Sequence, residues 1–203
     1  MKKSGIWGKR KSSEVKRTIG IYPETKHPSY FNSIGLGLEE PLIAALHANG
    51  YQGKNAPIFI QSFEVGNLQY LSTKTDLPLV QLINDTGKPY DFVTSGDGRT
   101  FADLITTTGL RKIAEYAIAI GINKNLLIPR DSHNQLLTPT SVVSNARAEN
   151  LLVHVWTFRN ENIFLPSNLQ DNPLKEYKLF LELGIDGVFS DYPDTAIQAI
   201  NYL

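Results

Sequence analysis

The sequence predicts an α/β fold: a parallel sheet whose strands are joined by crossover helices. Three observations carry that prediction. Short apolar runs of strand length alternate with stretches of helical spacing about six times, the order a parallel sheet requires. The run Pro57-Ile58-Phe59-Ile60-Gln61-Ser62-Phe63 is largely apolar without alternation, as in a strand buried on both faces. No Rossmann fingerprint or Walker loop opens any helix, and no solenoid repeat is evident. A closed (β/α) barrel normally takes eight strands and about 250 residues. This chain has 203 residues, room for one domain with a sizeable core.

The elements follow in order. Residues 19–28, Ile-Gly-Ile-Tyr-Pro-Glu-Thr-Lys-His-Pro, read as an opening strand. A loop from Pro28 leads to a helix over 39–49, with Leu42, Ile43, Ala45 and Leu46 on one face and Gly50 as its stop. The buried strand 57–63 precedes a short helix through Leu68 and Leu71, and 79–83 is the next strand. Residues 84–100 are dense in turn formers and read as a long loop; Asp97-Gly98 lacks the acidic spacing of a calcium loop. A helix over 104–119 leads into a strand at 118–123. Thr138-Pro139 reads as the cap and first position of a helix reaching Glu149. A strand at 151–158, a loop at 159–172 and a helix at 173–183 ended by Gly184 come next. The last strand is 188–190, with Asp194 as cap of a final helix.

Composition narrows the function classes. Lys+Arg and Asp+Glu number 20 each, so net charge makes no case for nucleic acid or an acidic membrane as partner. The chain has no cysteine, which excludes disulfides, thiol catalysis and cysteine-ligated metals. No apolar run approaches the roughly 18–20 residues of a membrane span. Residues 1–17 form a basic N-terminal segment; it lacks the apolar stretch of a signal peptide and reads as a solvated tail or frayed helix.

In an extended segment, side chains two apart share a face, so Tyr22, Glu24 and Lys26 point the same way. A carboxylate beside an ammonium at a strand end suits a site holding a metal and an anionic substrate. It equally suits a partly buried ion pair, and the two residues alone do not choose between them.

Further motifs accompany this one. Tyr-Pro-Glu-Thr-Lys-His-Pro at 22–28 resembles the Glu-x-Lys strand of the glycerophosphodiester phosphodiesterase family. Ile60-Gln61-Ser62-Phe63, the run 153–162 (Val-His-Val-Trp-Thr-Phe-Arg-Asn-Glu-Asn) and the run 184–194 (Gly-Ile-Asp-Gly-Val-Phe-Ser-Asp-Tyr-Pro-Asp) follow in the family's order. The resemblance runs from about residue 17 to the C-terminus. It implies a (β/α)8 TIM barrel, incomplete, with about six of its eight βα units, beginning where the family's third strand would lie. The domain expectation is a basic segment 1–17 and a partial barrel domain 18–203.

The resemblance also implies an activity: metal-dependent hydrolysis of glycerophosphodiesters to an alcohol and glycerol 3-phosphate. The substrate is a small molecule and the cofactor a divalent cation, Ca2+ or Mg2+, with no nucleic acid and no stable membrane insertion. Glu24 matches the family's metal-binding glutamate and Lys26 the lysine near the phosphate. Trp156 matches an aromatic residue that walls the glycerol side, and Phe63 the aromatic after Gln-Ser. For Phe63 a core or rim role is the alternative to substrate contact, and Trp156 admits both. His154 shares a phase with Trp156 and reads as a satisfied core histidine; His27 reads as a strand-end residue and His133 as a loop residue.

The chain departs from the family's pattern at its start. It contains no His-Arg-Gly, no His-Asp and no Glu-x-Asp, so neither catalytic histidine is matched and Glu24 is the sole metal carboxylate carried over. Gly121-Ile122-Asn123-Lys124 stands where the family has a Gly-Ile-Gly-Pro-like turn. Asp186 and Asp191 read as turn or cap residues. Two readings follow: an enzyme of the family of which this is the later part, or a non-catalytic barrel fragment or relative that binds a ligand or partner. Open sheet edges imply self-association in either case.

Overall fold

The computed structural model describes residues 10–202. Five strands form one parallel sheet in chain order: β1 (Ile60–Ser62), β2 (Leu79–Ile83), β3 (Ala119–Asn123), β4 (Leu152–Phe158) and β5 (Gly187–Ser190). Helices α1 (Pro28–Ser33) and α2 (Glu39–Ala48) precede β1, and α3 (Val65–Ser72) links β1 to β2. Between β2 and β3 lie α4 (Tyr90–Ser95), α5 (Phe101–Leu104) and α6 (Thr107–Ile113). Helices α7 (Val142–Ala148) and α8 (Pro173–Glu182) follow β3 and β4, and α9 (Pro193–Ile200) follows β5.

The expected opening strand is an extended segment that joins the sheet's edge by isolated contacts. Ile21 bridges Ile58 and Glu24 bridges Gln61, both parallel. Pro23 breaks the ladder between them, since proline has no N–H to donate. Its carbonyl still accepts from Gln61 N at 2.9 Å.

The sheet is strongly curved. Five steps of about 4.8 Å separate the 19–25 segment from β5, so a flat sheet would hold them about 24 Å apart. Instead the rings of Tyr22 and Phe189 meet at 4.9 Å, and Tyr22 Oη lies 2.7 Å from His154 Nδ1. The two edges thus face each other across a half-barrel whose interior Tyr22, Phe59, His154 and Phe189 fill. Burial raises the Tyr22 phenol and lowers the His154 imidazole, so both stay neutral near pH 7. His154 is the core histidine its phase implied.

Outside the sheet, helices cover the apolar faces. Every residue of β2 is buried, as are the first four of β3. On α8, Tyr177 and Phe180 pack on Phe158 at ring distances of 4.6 and 5.2 Å.

Four local expectations need correction. The 84–100 loop contains α4, closed by Gly96 at φ 73 and anchored by buried Phe92. The helix expected over 104–119 is two short helices, α5 and α6. Thr106 caps α6 by accepting from Gly109 N at 3.0 Å, and a Cβ on Gly109 would stand 2.2 Å from the Asp103 carbonyl, so only glycine lets the two helices meet this closely. The helix expected from Thr138 begins at Val142, because Thr140 instead ties its backbone N to Leu127 O and its Oγ1 to Leu126 O, each at 2.8 Å. Tyr192, not Asp194, occupies the cap position of α9; Asp194 lies in its first turn. Of the basic segment 1–17, residues 1–9 lie outside the described residues. Residues 10–15 are helical, with Lys11 Nζ 2.6 Å from Glu14 Oε2.

Candidate functional site

The Glu24-Thr25-Lys26 segment is held from beneath by buried polar groups. Thr25 is 4% exposed; its Oγ1 donates to Asn67 Oδ1 at 2.7 Å, and Asn67 Nδ2 donates to Glu39 Oε1 at 2.6 Å. Asn32 Nδ2 donates to the same Glu39 oxygen at 3.2 Å. Thr25 therefore faces the helices, which turns its neighbours Glu24 and Lys26 to the sheet's other side. Lys26 Nζ donates to Glu24 Oε1 at 2.8 Å; the lysine side chain is 70% exposed and the glutamate 19%. Such a pair is worth little to stability, and Lys26 is free to swing to a ligand.

Glu24 and Lys26 line a cavity of about 280 Å³ together with Phe63, Glu64, Tyr90 and Phe101. The cavity lies where residues leave the C-terminal ends of the 19–25 segment, β1 and β2, the end that carries active sites in parallel βα barrels. Phe63 meets Trp156 edge-to-face at 5.9 Å, and Phe101 at the same distance. Trp156 Nε1 donates to Gly121 O at 2.8 Å, which fixes the indole on β3. Three of the four expected site residues thus share one cavity. Trp156 stands behind Phe63 and lines a second cavity.

Glu64 was not singled out by sequence, although a carboxylate directly after the buried Gln-Ser-Phe run was a usable signal. It is 2% exposed. Its Oε2 accepts from Ser29 N at 3.0 Å and from Ser29 Oγ, while Oε1 is buried with no hydrogen-bond partner. Burial raises its carboxyl against the Ser29 hydrogen bonds, and the nearby Asp91 raises it further. Glu64 also latches the turn in which His27 adopts φ 51 before α1. Asp186 Oδ2 accepts from Val153 N at 2.8 Å, and Asp191 pairs with Arg159 at 3.0 Å. In the 84–100 stretch, the Arg99 guanidinium holds Asp97 down to about 2. His133 sits in a loop, its N bonded to Asp131.

Among the described residues, no group of three or more His, Cys, Asp or Glu converges to hold a metal. Calcium usually takes six to eight oxygens. Glu24 alone does not fit such a site.

A curved parallel βα sheet with a cavity at the strands' C-terminal ends, walled by aromatics and carrying a paired carboxylate and ammonium, defines a barrel-type fold with a candidate binding pocket. The chain belongs to the glycerophosphoryl diester phosphodiesterase family, whose model matches residues 10–195. It is 36% identical over 192 residues to a glycerophosphodiester phosphodiesterase of Arabidopsis thaliana, covering 88% of this chain and 50% of the relative. A glycerophosphodiester phosphodiesterase of Haemophilus influenzae is 26% identical over 204 residues, covering 95% and 55%. The chain therefore spans about half the length of these relatives. The fold is similar to the crystal structure of a glycerophosphodiester phosphodiesterase from Parabacteroides distasonis, with TM-score 0.57 at 10% identity, over 95% of this chain and 61% of that one. No helix among the described residues is long and apolar enough to cross a membrane.

Proposed function

We propose that the chain contributes the later part of a glycerophosphodiester phosphodiesterase, hydrolysing glycerophosphodiesters to an alcohol and glycerol 3-phosphate. The observation that carries this reading is the Lys26–Glu24 pair, 2.8 Å apart, in a cavity that also holds Phe63. Lys26 swings from Glu24 to a non-bridging phosphoryl oxygen and offsets its charge as a point cation. Phe63, backed by Trp156, walls the glycerol side and excludes water. Glu24 matches the family's metal carboxylate, for Ca2+ or Mg2+, and among the described residues no donor set fits the ion. On this reading residues 18–203 are a partial barrel domain with about six of eight βα units, preceded by the basic segment 1–17. Among the described residues, the outer edges of the 19–25 segment and β5 pair with no further strand, and self-association through them follows.

The test is glycerol 3-phosphate release from glycerophosphocholine by the purified chain, with calcium or magnesium and with a chelator. Metal-dependent turnover that Glu24→Gln abolishes would support the enzyme reading, with this half-site sufficient or a second chain supplying the missing strands. Lys26→Met should lower kcat/KM by about 10–100-fold, the worth of a charge-assisted hydrogen bond. Soluble, folded protein with no turnover would overturn activity of this chain on its own and leave a fragment or a non-catalytic relative.

A further inference from the structure

A second cavity of about 490 Å³ opens at the same end of the sheet, beside Trp156. An ion triad lies at one end of it. Lys124, the residue after β3, is 7% exposed, and its Nζ donates to both oxygens of Glu176 at 2.8 and 2.9 Å. Glu176, on α8, is 0% exposed. Arg130 Nη2 donates to the same Oε1 at 3.0 Å. One carboxylate thus faces two cations.

Arg130 spends Nη1 on Asn134 Oδ1 at 3.0 Å and shares Nη2 with Phe164 O at 3.1 Å; its Nε is buried with no acceptor. On the same cavity, Arg159 is held between Glu161 and Asp191, a cluster with one negative charge in surplus. A buried positive surplus is costly unless an anion completes it.

We propose that this cavity binds an anionic oxygen group, phosphate or carboxylate, through Lys124 and Arg130. Resting on the function proposed above, the natural bearer is the alcohol part of the substrate. The diester lies against Lys26, with its glycerol at Phe63 and its alcohol directed toward the triad. The preferred substrates are then glycerophosphodiesters whose alcohol carries a further negative charge. Burial lowers the Lys124 ammonium while Glu176 opposes that fall, and a bound anion would oppose it too.

Two measurements test this on the full chain. The first is calorimetric titration with inorganic phosphate at low ionic strength. We expect binding that weakens about tenfold or more in Arg130→Met, the loss of one charge-assisted contact, and that survives Lys26→Met. Loss in Lys26→Met alone, equal affinity in Arg130→Met, or no binding to wild type would each overturn the proposal. Arg130 also ties loops together, so the second measurement needs no variant: in wild-type protein, phosphate should shift the Arg130 Nε–H and Trp156 Nε1–H resonances. Shifts confined to Lys26 and its neighbours overturn it.

Neither readout requires turnover. An inactive chain that still binds phosphate at Arg130 defeats the enzyme reading and leaves this site. An active chain also allows the substrate arm: kcat/KM for a diester whose alcohol bears a phosphomonoester, relative to glycerophosphocholine, should exceed one and fall about tenfold in Arg130→Met. A ratio unchanged by that variant shows that free phosphate, not substrate, is the ligand, and overturns the substrate assignment.

Discussion

The sheet's interior and its first edge are built from different forces. In β2, β3 and β4 the strands pair continuously, and Ile120, Ile122, Val153 and Val155 are each 0% exposed. Apolar burial holds them. The 19–25 segment pairs through two isolated bridges and presents only half-buried apolar groups. What fixes it is polar: Thr25, Asn67, Glu39 and Asn32 beneath, Tyr22 with His154 inside, Glu64 with Ser29 at its exit. The candidate site straddles the two regimes. Trp156 stands on the interior, while Glu24 and Lys26 ride on the edge. Precision at the edge therefore depends on hydrogen bonds that fix direction, where apolar packing would leave a segment this short free to slide.

Urea unfolding of two truncations would break this comparison most directly. Ile120→Ala, at the centre of β3, should cost about 2–5 kcal/mol. Ile21→Ala, on the half-buried edge, should cost about 1 kcal/mol, less than the range for a fully buried side chain. Equal costs would mean that the edge is held by apolar burial after all. The sharper test lies between those values. Thr25→Val keeps the shape but removes the donor to Asn67 and strands a buried amide oxygen, for about 1–3 kcal/mol. If polar contacts hold the edge, Thr25→Val exceeds Ile21→Ala although it removes no carbon.

The same division explains what could be read in advance. Strands 79–83, 118–123 and 151–158 were legible because continuous apolar runs have few other uses, and the ends of α2 and α8 because Gly50 and Gly184 follow them. The two-helix corner at Gly109 was not legible: its cause is a close approach to the Asp103 carbonyl, a tertiary fact with no local signal. In the site, the shared face of Glu24 and Lys26 followed from period two. Trp156 follows the same strand pattern, yet its place behind Phe63 depends on sheet curvature. Lys124, Arg130 and Glu176 are up to 52 residues apart in sequence and only the fold gathers them.

Glu64 offers the smallest and most specific test of the edge. Its Oε2 latches Ser29 while Oε1 lies buried and unpaired, so the ionised form is costly in the folded state and the folded pKa is raised. A raised folded pKa means that the folded protein holds its proton over a pH range where the unfolded chain, near 4.3, has already lost it. Stability from this group is complete below that unfolded value and is lost as pH rises through the folded one. Glu64→Gln keeps a carbonyl oxygen for Ser29 and removes the charge. Its Tm should equal that of wild type below about pH 4 and exceed it at pH 8. A Tm difference independent of pH would show that the carboxyl does not titrate against burial. A variant less stable at pH 8 would show that the charge itself, answered by His27 or by a bound cation, is what holds the turn.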